Sequence, residues 1–274
     1  MSRNPAPSAR ASFPLAEALP VGVSSGRVRA EILLVLGLSL GASAVYSVVQ
    51  ILDLLTRTQS LASQTATLNT SQSSRPVFDF VYQVLSNGFD LVPVVLVAFL
   101  VWKQTAPHLA RLGIAFNRLG RDALAGVALA LAIGIPGIAL YFVGRAIGIS
   151  VDVVPTNLAA HWWTVPVLLF SAFRSGVTEE VIVVAYLYAR LRDLGWKTWT
   201  IILTAALLRG TYHLYQGFGA FIGNAVMGIV FGWLYTRFGR VLPLVIAHFF
   251  MDAAVFVGYP WAAAAFPALF GSHH

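Results

Sequence analysis

Long apolar runs decide what this chain can fold into. A helix needs about 20 apolar residues to cross the hydrocarbon core of a bilayer. Runs of that kind lie near residues 32–55, 78–102, 122–147, 163–190, 198–214, 219–236 and 241–259. A short apolar stretch, Trp261 to Phe270, adds a partial eighth helix, too short at about 1.5 Å per residue to cross alone. Soluble domains carry about 25% charged residues; this chain carries 11%, against 58% hydrophobic. The expected fold is therefore all-α: a polytopic membrane helix bundle with seven to eight transmembrane helices. Residues 1–30, polar and dotted with Arg, read as a flexible N-terminal tail, and 31–155 as N-terminal membrane helices.

Charge orients the bundle. With the N-terminus in the cytoplasm, thirteen Lys and Arg fall on inner segments and three, Arg57, Arg75 and Arg145, on outer ones. This is the positive-inside pattern, and it accounts for the net charge of +7 without a nucleic-acid partner. The expected location is the cell membrane. The outer stretch after the first span, "SLASQTATLNTSQSS", reads as a Ser/Thr linker. The chain has no cysteine, which excludes disulfides and thiolate metal sites.

Against this background the stretch "VTEEVIVVAYL" stands out, because Glu179 and Glu180 interrupt an apolar run. An ionisable group at the bilayer centre costs at least about 2.5–3.5 kcal/mol, so such groups face the bundle interior and mark function. Asp90, Arg174, Arg209, His213, His248 and Asp252 fall at similar positions, with Asn224 as an uncharged companion. Depth relates them. The fourth and fifth spans form a hairpin about Trp196, with Glu179 and His213 equally far from that turn. His248, beyond the turn at Gly239, reaches a comparable depth. Within helices, Arg209 with His213 and His248 with Asp252 are four apart and share a face. Asp252 is expected to orient His248 by accepting a ring N–H. Glu179 and Glu180 point about 100° apart, so only one is expected to aim fully at a shared centre. Tyr212, Tyr215 and Gln216 are read as interface aromatics and turn residues, and His108 and His161 as loop residues without a role.

Two histidines and a carboxylate from three helices can hold a metal or a water. A Glu tuned by burial can act as a general base at neutral pH, taking a proton from a water that attacks a peptide carbonyl. The histidines would either bind a zinc-type ion or hold the water and the oxyanion directly. A His-Glu-x-x-His helix is absent, Ser175-Gly176 lacks the flanks of a nucleophile, and Asp90 and Asp252 lack the setting of an aspartyl dyad.

At these residues the sequence resembles the CPBP family of intramembrane proteases, which includes the type II CAAX prenyl proteases and bacteriocin-associated relatives. The family pattern is Glu-Glu-x-x-x-Arg, Phe-x-x-x-His and His-x-x-x-Asn/Asp. It corresponds here to "EEVIVV" (Glu179 to Val184), "RGTYH" (Arg209 to His213) and "HFFMD" (His248 to Asp252). The resemblance implies a CPBP-like catalytic membrane domain over 156–274. Glu179 would be the general base, with Glu180 assisting it or holding neighbouring helices. His213 and His248 would hold the metal or water, and Asp252 would complete the set. A divalent ion, zinc first, would take Glu179, His213 and His248 as ligands; a metal-independent site uses the same residues. Substrates would be membrane proteins or lipidated peptides. Two positions depart from the pattern: Val184 replaces the motif Arg, and Arg209 replaces the motif Phe. Arg209 is expected to pair with Glu180 or to bind a substrate carboxylate. Two other classes stand beside the peptidase: a non-enzymatic immunity or scaffold protein, and a proton-coupled transporter. The chain shows no pair of matching halves of the kind transporters carry.

Overall fold

The computed structural model describes residues 13–19 and 23–265, which are mostly helical. A bent pair opens the bundle: α1 (Ser25–Gly37) and α2 (Leu40–Thr56) meet at 58°. Strand β1 (Thr65–Asn69) leads to α3 (Pro76–Phe89) and α4 (Val92–Leu100). Then come α5 (Leu119–Ala146), strand β2 (Asp152–Thr156) and α6 (Thr164–Glu179). A π-helical segment, Glu180–Tyr186, joins α6 to α7 (Leu187–Asp193). The chain continues through α8 (Thr198–Tyr212), α9 (Phe218–Phe238) and α10 (Leu242–Ala253). A second π segment, Ala254–Gly258, leads into α11 (Tyr259–Ala265). The remainder of the expected eighth helix lies outside the described residues.

Among the described residues four helices are long and apolar enough to cross a membrane: Pro76–Leu100, Leu119–Ala146, Phe218–Phe238 and Leu242–Ala262. The bent α1–α2 pair makes a fifth. The sequence suggests more because hydropathy ignores length and charge. Helix α8 has 15 residues, about 22 Å, and the run from α6 to α7 carries Arg174, Glu179, Glu180, Arg190, Arg192 and Asp193. The burial pattern is inverted relative to a soluble domain. On α5, Leu124, Leu131, Ile135 and Phe142 are exposed while Asp122 is buried, as expected where hydrocarbon replaces water as the outer solvent.

The all-helical expectation needs one amendment. The segment read as a Ser/Thr linker forms β1, which pairs in parallel with β2, Thr65 opposite Asp152 and Asn69 opposite Thr156. Asn69 reinforces the ladder by donating its side-chain amide to the Pro155 carbonyl, at 2.9 Å. Both strands are five residues long; β1, Thr-Ala-Thr-Leu-Asn, alternates polar and apolar residues as a strand does, whereas β2, with its Val-Val-Pro run, does not.

The π segment after α6 is the heart of the core: every residue from Glu180 to Tyr186 is buried. Helix α10 reaches it because Gly176 leaves no side chain between α6 and α10. A Cβ there would sit 3.1 Å from the Val245 carbonyl oxygen and 3.5 Å from His248 Cβ. At the basic end of the bundle the described N-terminal residues lie against the helices. Phe13 packs edge-on to Tyr235 at 5.2 Å and donates its backbone N–H to the Thr236 carbonyl. Glu17 pairs with Lys103 at 2.8 Å and with Arg111.

Candidate active site

Glu179 closes α6 and Glu180 opens the π segment. The wider π turn, a feature common at functional sites, begins between them, and both carboxylates reach the same imidazole from opposite sides. His248 Nδ1 is 2.7 Å from Glu180 Oε1, and His248 Nε2 is 4.0 Å from Glu179 Oε2. His213, at the end of α8, places Nε2 3.7 Å from the same Glu179 oxygen. Equal distance from the Trp196 turn did translate into equal depth. Glu179 alone faces the Nε2 atoms of both histidines, and Glu180, about 100° round the helix, meets His248 at its other nitrogen.

The expected orientation of His248 is corrected. Asp252 Oδ2 lies 3.6 Å from His248 Nε2, beyond hydrogen-bond reach, and the short bond to the ring comes from Glu180. Spacing by four identifies a shared helix face but not which rotamer fills it. Arg209 stands apart from a substrate: it is 0% exposed, donates to Glu180 Oε1 at 2.6 Å and holds Nη1 3.8 Å from Glu179 Oε2. Gly228 on α9 makes room for it, since a Cβ there would lie 3.3 Å from Arg209 Cδ. Val184, in the place of the motif Arg, is buried in the apolar core.

Two residues read as interface and turn residues belong to the site. Tyr212 donates its hydroxyl to Glu179 Oε2 at 2.7 Å, and Gln216 Nε2 approaches His213 Nδ1 at 3.5 Å. Their adjacency to His213 was the available signal. Tyr215 contacts Gln216 at 2.8 Å. Arg174 is held by Asn87 at 3.2 Å, with Asp90 at 3.7 Å. Asn224 bonds only within its own helix, to the Ala220 carbonyl. His108 stacks on Trp102 and His161 on Trp163.

Glu179, Glu180, Arg209 and His248 are buried, whereas the side chains of His213 and Asp252 are 18% and 23% exposed. The four form a buried floor, and the other two are the partly exposed members of the group. Among the described residues no group of three His, Asp or Glu is drawn together tightly enough to be a preformed metal cage. The donor chemistry nevertheless fits one: His213 Nε2 is buried without a partner, and two imidazole nitrogens with a carboxylate oxygen suit a zinc-type ion. Separations of 3.7 and 4.0 Å from Glu179 Oε2 are those a single bridging atom spans.

No curated protein and no solved structure matches the chain. Residues 161–254, which run from the start of α6 past Asp252, match the family model described as type II CAAX prenyl endopeptidase Rce1-like. They include all three groups, Glu179–Glu180, Arg209–His213 and His248–Asp252, that meet at the buried floor. This part of the chain is thus similar to an Rce1-like domain.

Proposed function

We propose that the protein is an intramembrane endopeptidase of the CAAX-protease-like kind, which hydrolyses a peptide bond of a membrane-associated substrate. The observation that carries this reading is the convergence of His213 Nε2 and His248 Nε2 on one oxygen of Glu179. The two rings have complementary roles. Glu180 already accepts from Arg209 and so takes the Nδ1–H of His248, which leaves Nε2 as an acceptor that orients the attacking water. Gln216 donates to His213 Nδ1, so its Nε2–H is a donor for the oxyanion. Glu179 removes a proton from the water as its oxygen adds to the carbonyl carbon. It returns that proton to the departing amine as the C–N bond breaks. Tyr212 holds Glu179 in place for both steps. Were a divalent ion bound, Glu179, His213 and His248 would hold it, with His213 in the other tautomer, and the ion would acidify the water and polarise the carbonyl.

The bundle that supports this chemistry is read as seven spans, with α6–α7 and the short α8 completing the set inside the protein. It lies in the cell membrane with its basic end and N-terminus cytoplasmic. The departures at Val184 and Arg209 favour a second reading, a non-proteolytic member acting in immunity or as a scaffold. Glu179→Gln separates the two. In the peptidase reading it lowers turnover by about 10²-fold or more while the protein still folds, and uncleaved membrane precursors accumulate in cells carrying it. Wild-type cleavage, or biological activity untouched by the substitution, would sink the peptidase reading. Metal analysis of purified protein decides the cofactor: one zinc per chain, lost in His213→Ala, is the metalloprotease outcome. An equal trace in both proteins is the metal-free one.

A further inference from the structure

The mechanism uses the side of the site that faces Glu179. The other side of the Glu180–Arg209 pair carries a series of buried polar atoms with no hydrogen-bond partner among the described residues. They are Glu180 Oε2, Arg209 Nε, Tyr188 Oη, Tyr235 Oη and Arg111 Nε. Their residues are 6% exposed or less. They are also not scattered. Arg209 and Glu180 are in contact, and both charges lie within electrostatic range of the Tyr188 hydroxyl. The Tyr188 and Tyr235 rings meet edge to face at 5.7 Å. Arg111 donates to the carbonyl of Ala189, the residue after Tyr188, at 3.2 Å, and pairs with Asp193 and Glu17. Glu17 is 47% exposed at the basic end of the bundle. The orphaned atoms thus trace a line from the catalytic floor to that surface.

Glycines let the side chains along this line seat closely against their neighbours. On α9, Gly228 faces Arg209 Cδ, and one turn on Gly232 faces Tyr188, whose Cζ would be 3.0 Å from an added Cβ. Beside Tyr235, a Cβ on Gly113 would be 3.2 Å from Cε2. The walls are apolar, Phe231 and Ile202 among them, both almost fully buried. A buried donor or acceptor left unpaired pays its full desolvation penalty, and buried water with two to four polar partners is the common remedy. A hydrolase enclosed by lipid also consumes one water per bond broken, and hydrocarbon is a poor source of it.

We propose that a file of water molecules runs from the Glu180–Arg209 pair past Tyr188 and Tyr235 to Arg111 at the basic end of the bundle, and that it replenishes the water consumed in the site. The supply role rests on the peptidase reading; the existence of the file does not. An experimental structure that resolves ordered solvent tests the file without any variant. Density is expected within hydrogen-bond distance of Glu180 Oε2, Tyr188 Oη and Tyr235 Oη. Atoms found dry, or rotated onto protein partners, overturn the proposal. Because the chain has no cysteine, a second measurement is clean. Silver ion, small enough to move where water moves, is added to the basic side of sealed vesicles holding Tyr235→Cys or Val183→Cys. Rapid thiol blocking in the first and none in the second supports the file, and equal protection of both overturns it. For the supply role, Gly232→Ala, which pushes into the Tyr188 hydroxyl, is expected to lower kcat at unchanged KM; an unchanged kcat removes that role. An inactive protein with a wet file would sink the peptidase reading alone, and an active one with a dry interior would sink the file alone.

Discussion

His248 shows how much a single ring position decides. Its Nδ1 is engaged by Glu180 and its Nε2 looks toward Glu179 and Asp252, so the ring is oriented by a neighbour on the side away from Glu179. Arg209 in turn holds Glu180. One guanidinium faces two carboxylates, and its removal leaves buried charge uncompensated. Arg209→Leu is expected to destabilise the protein by about 3–5 kcal/mol, measured by denaturant unfolding in detergent. The double variant Arg209→Leu with Glu180→Leu should lose less than the sum of the two singles. Tyr212→Phe removes a hydrogen bond to a charged group worth about 1.5–3 kcal/mol. The unfolding free energy is expected to fall by about that amount, and kcat by roughly 10-fold or more as Glu179 loses its fixed position; an unaltered kcat would show that Glu179 holds its position without it. Sequence reached the identities of these residues because acids and imidazoles are rare in apolar runs. It missed the partner of His248 because spacing gives a face and not a rotamer.

At the scale of elements, the site depends on close approach. Gly176 lets α10 press onto α6, and π segments follow the candidate site residues on both: Glu180–Tyr186 directly after Glu179, and Ala254–Gly258 shortly after Asp252. Each π turn re-aims the side chains around it relative to a continuous α-helix. Gly176→Leu is expected to abolish activity and lower the thermal midpoint, because the added side chain must displace backbone at Val245 and Phe249. Gly134→Ala, whose Cβ would meet Met251 Cγ at an ordinary 3.5 Å, is the comparison and should change neither. Helix existence was legible from hydropathy, as was the depth of the α6–α8 hairpin. The breaks at Leu38–Ser39 and Asp90–Leu91 carry local signals, Gly37, Ser39 and Gly41 at the first and Gly88, Asp90 and Pro93 at the second, that hydropathy passes over; the π turns come from packing and leave the apolar pattern intact.

Across the whole molecule, the basic end is organised by ion pairs. Glu17 links Lys103 and Arg111, and Arg111 also binds Asp193. Partial burial works to raise the Glu17 carboxyl, but Lys103 and Arg111 outweigh it and hold the group below its ordinary value of 4.5. A depressed carboxylate stabilises the folded state above its unfolded pKa, and that contribution disappears as pH falls through the folded value. The seating of the N-terminal segment should therefore be constant at neutral pH and loosen below about pH 4. Limited proteolysis near Glu17 against pH measures this, and Glu17→Gln should remove the dependence. Sequence showed the positive charge at this end but not its pairing, since partners such as Glu17 and Arg111 are distant along the chain.

The parallel ladder between β1 and β2 has a consequence for biogenesis. Its two edges leave the ribosome on either side of α3, α4 and α5, and a parallel pair cannot zip until the later edge has been delivered beside the earlier one. The earlier edge therefore waits unpaired through the synthesis of three helices, and its partner is delivered only once α5 has returned the chain to the same side of the bundle.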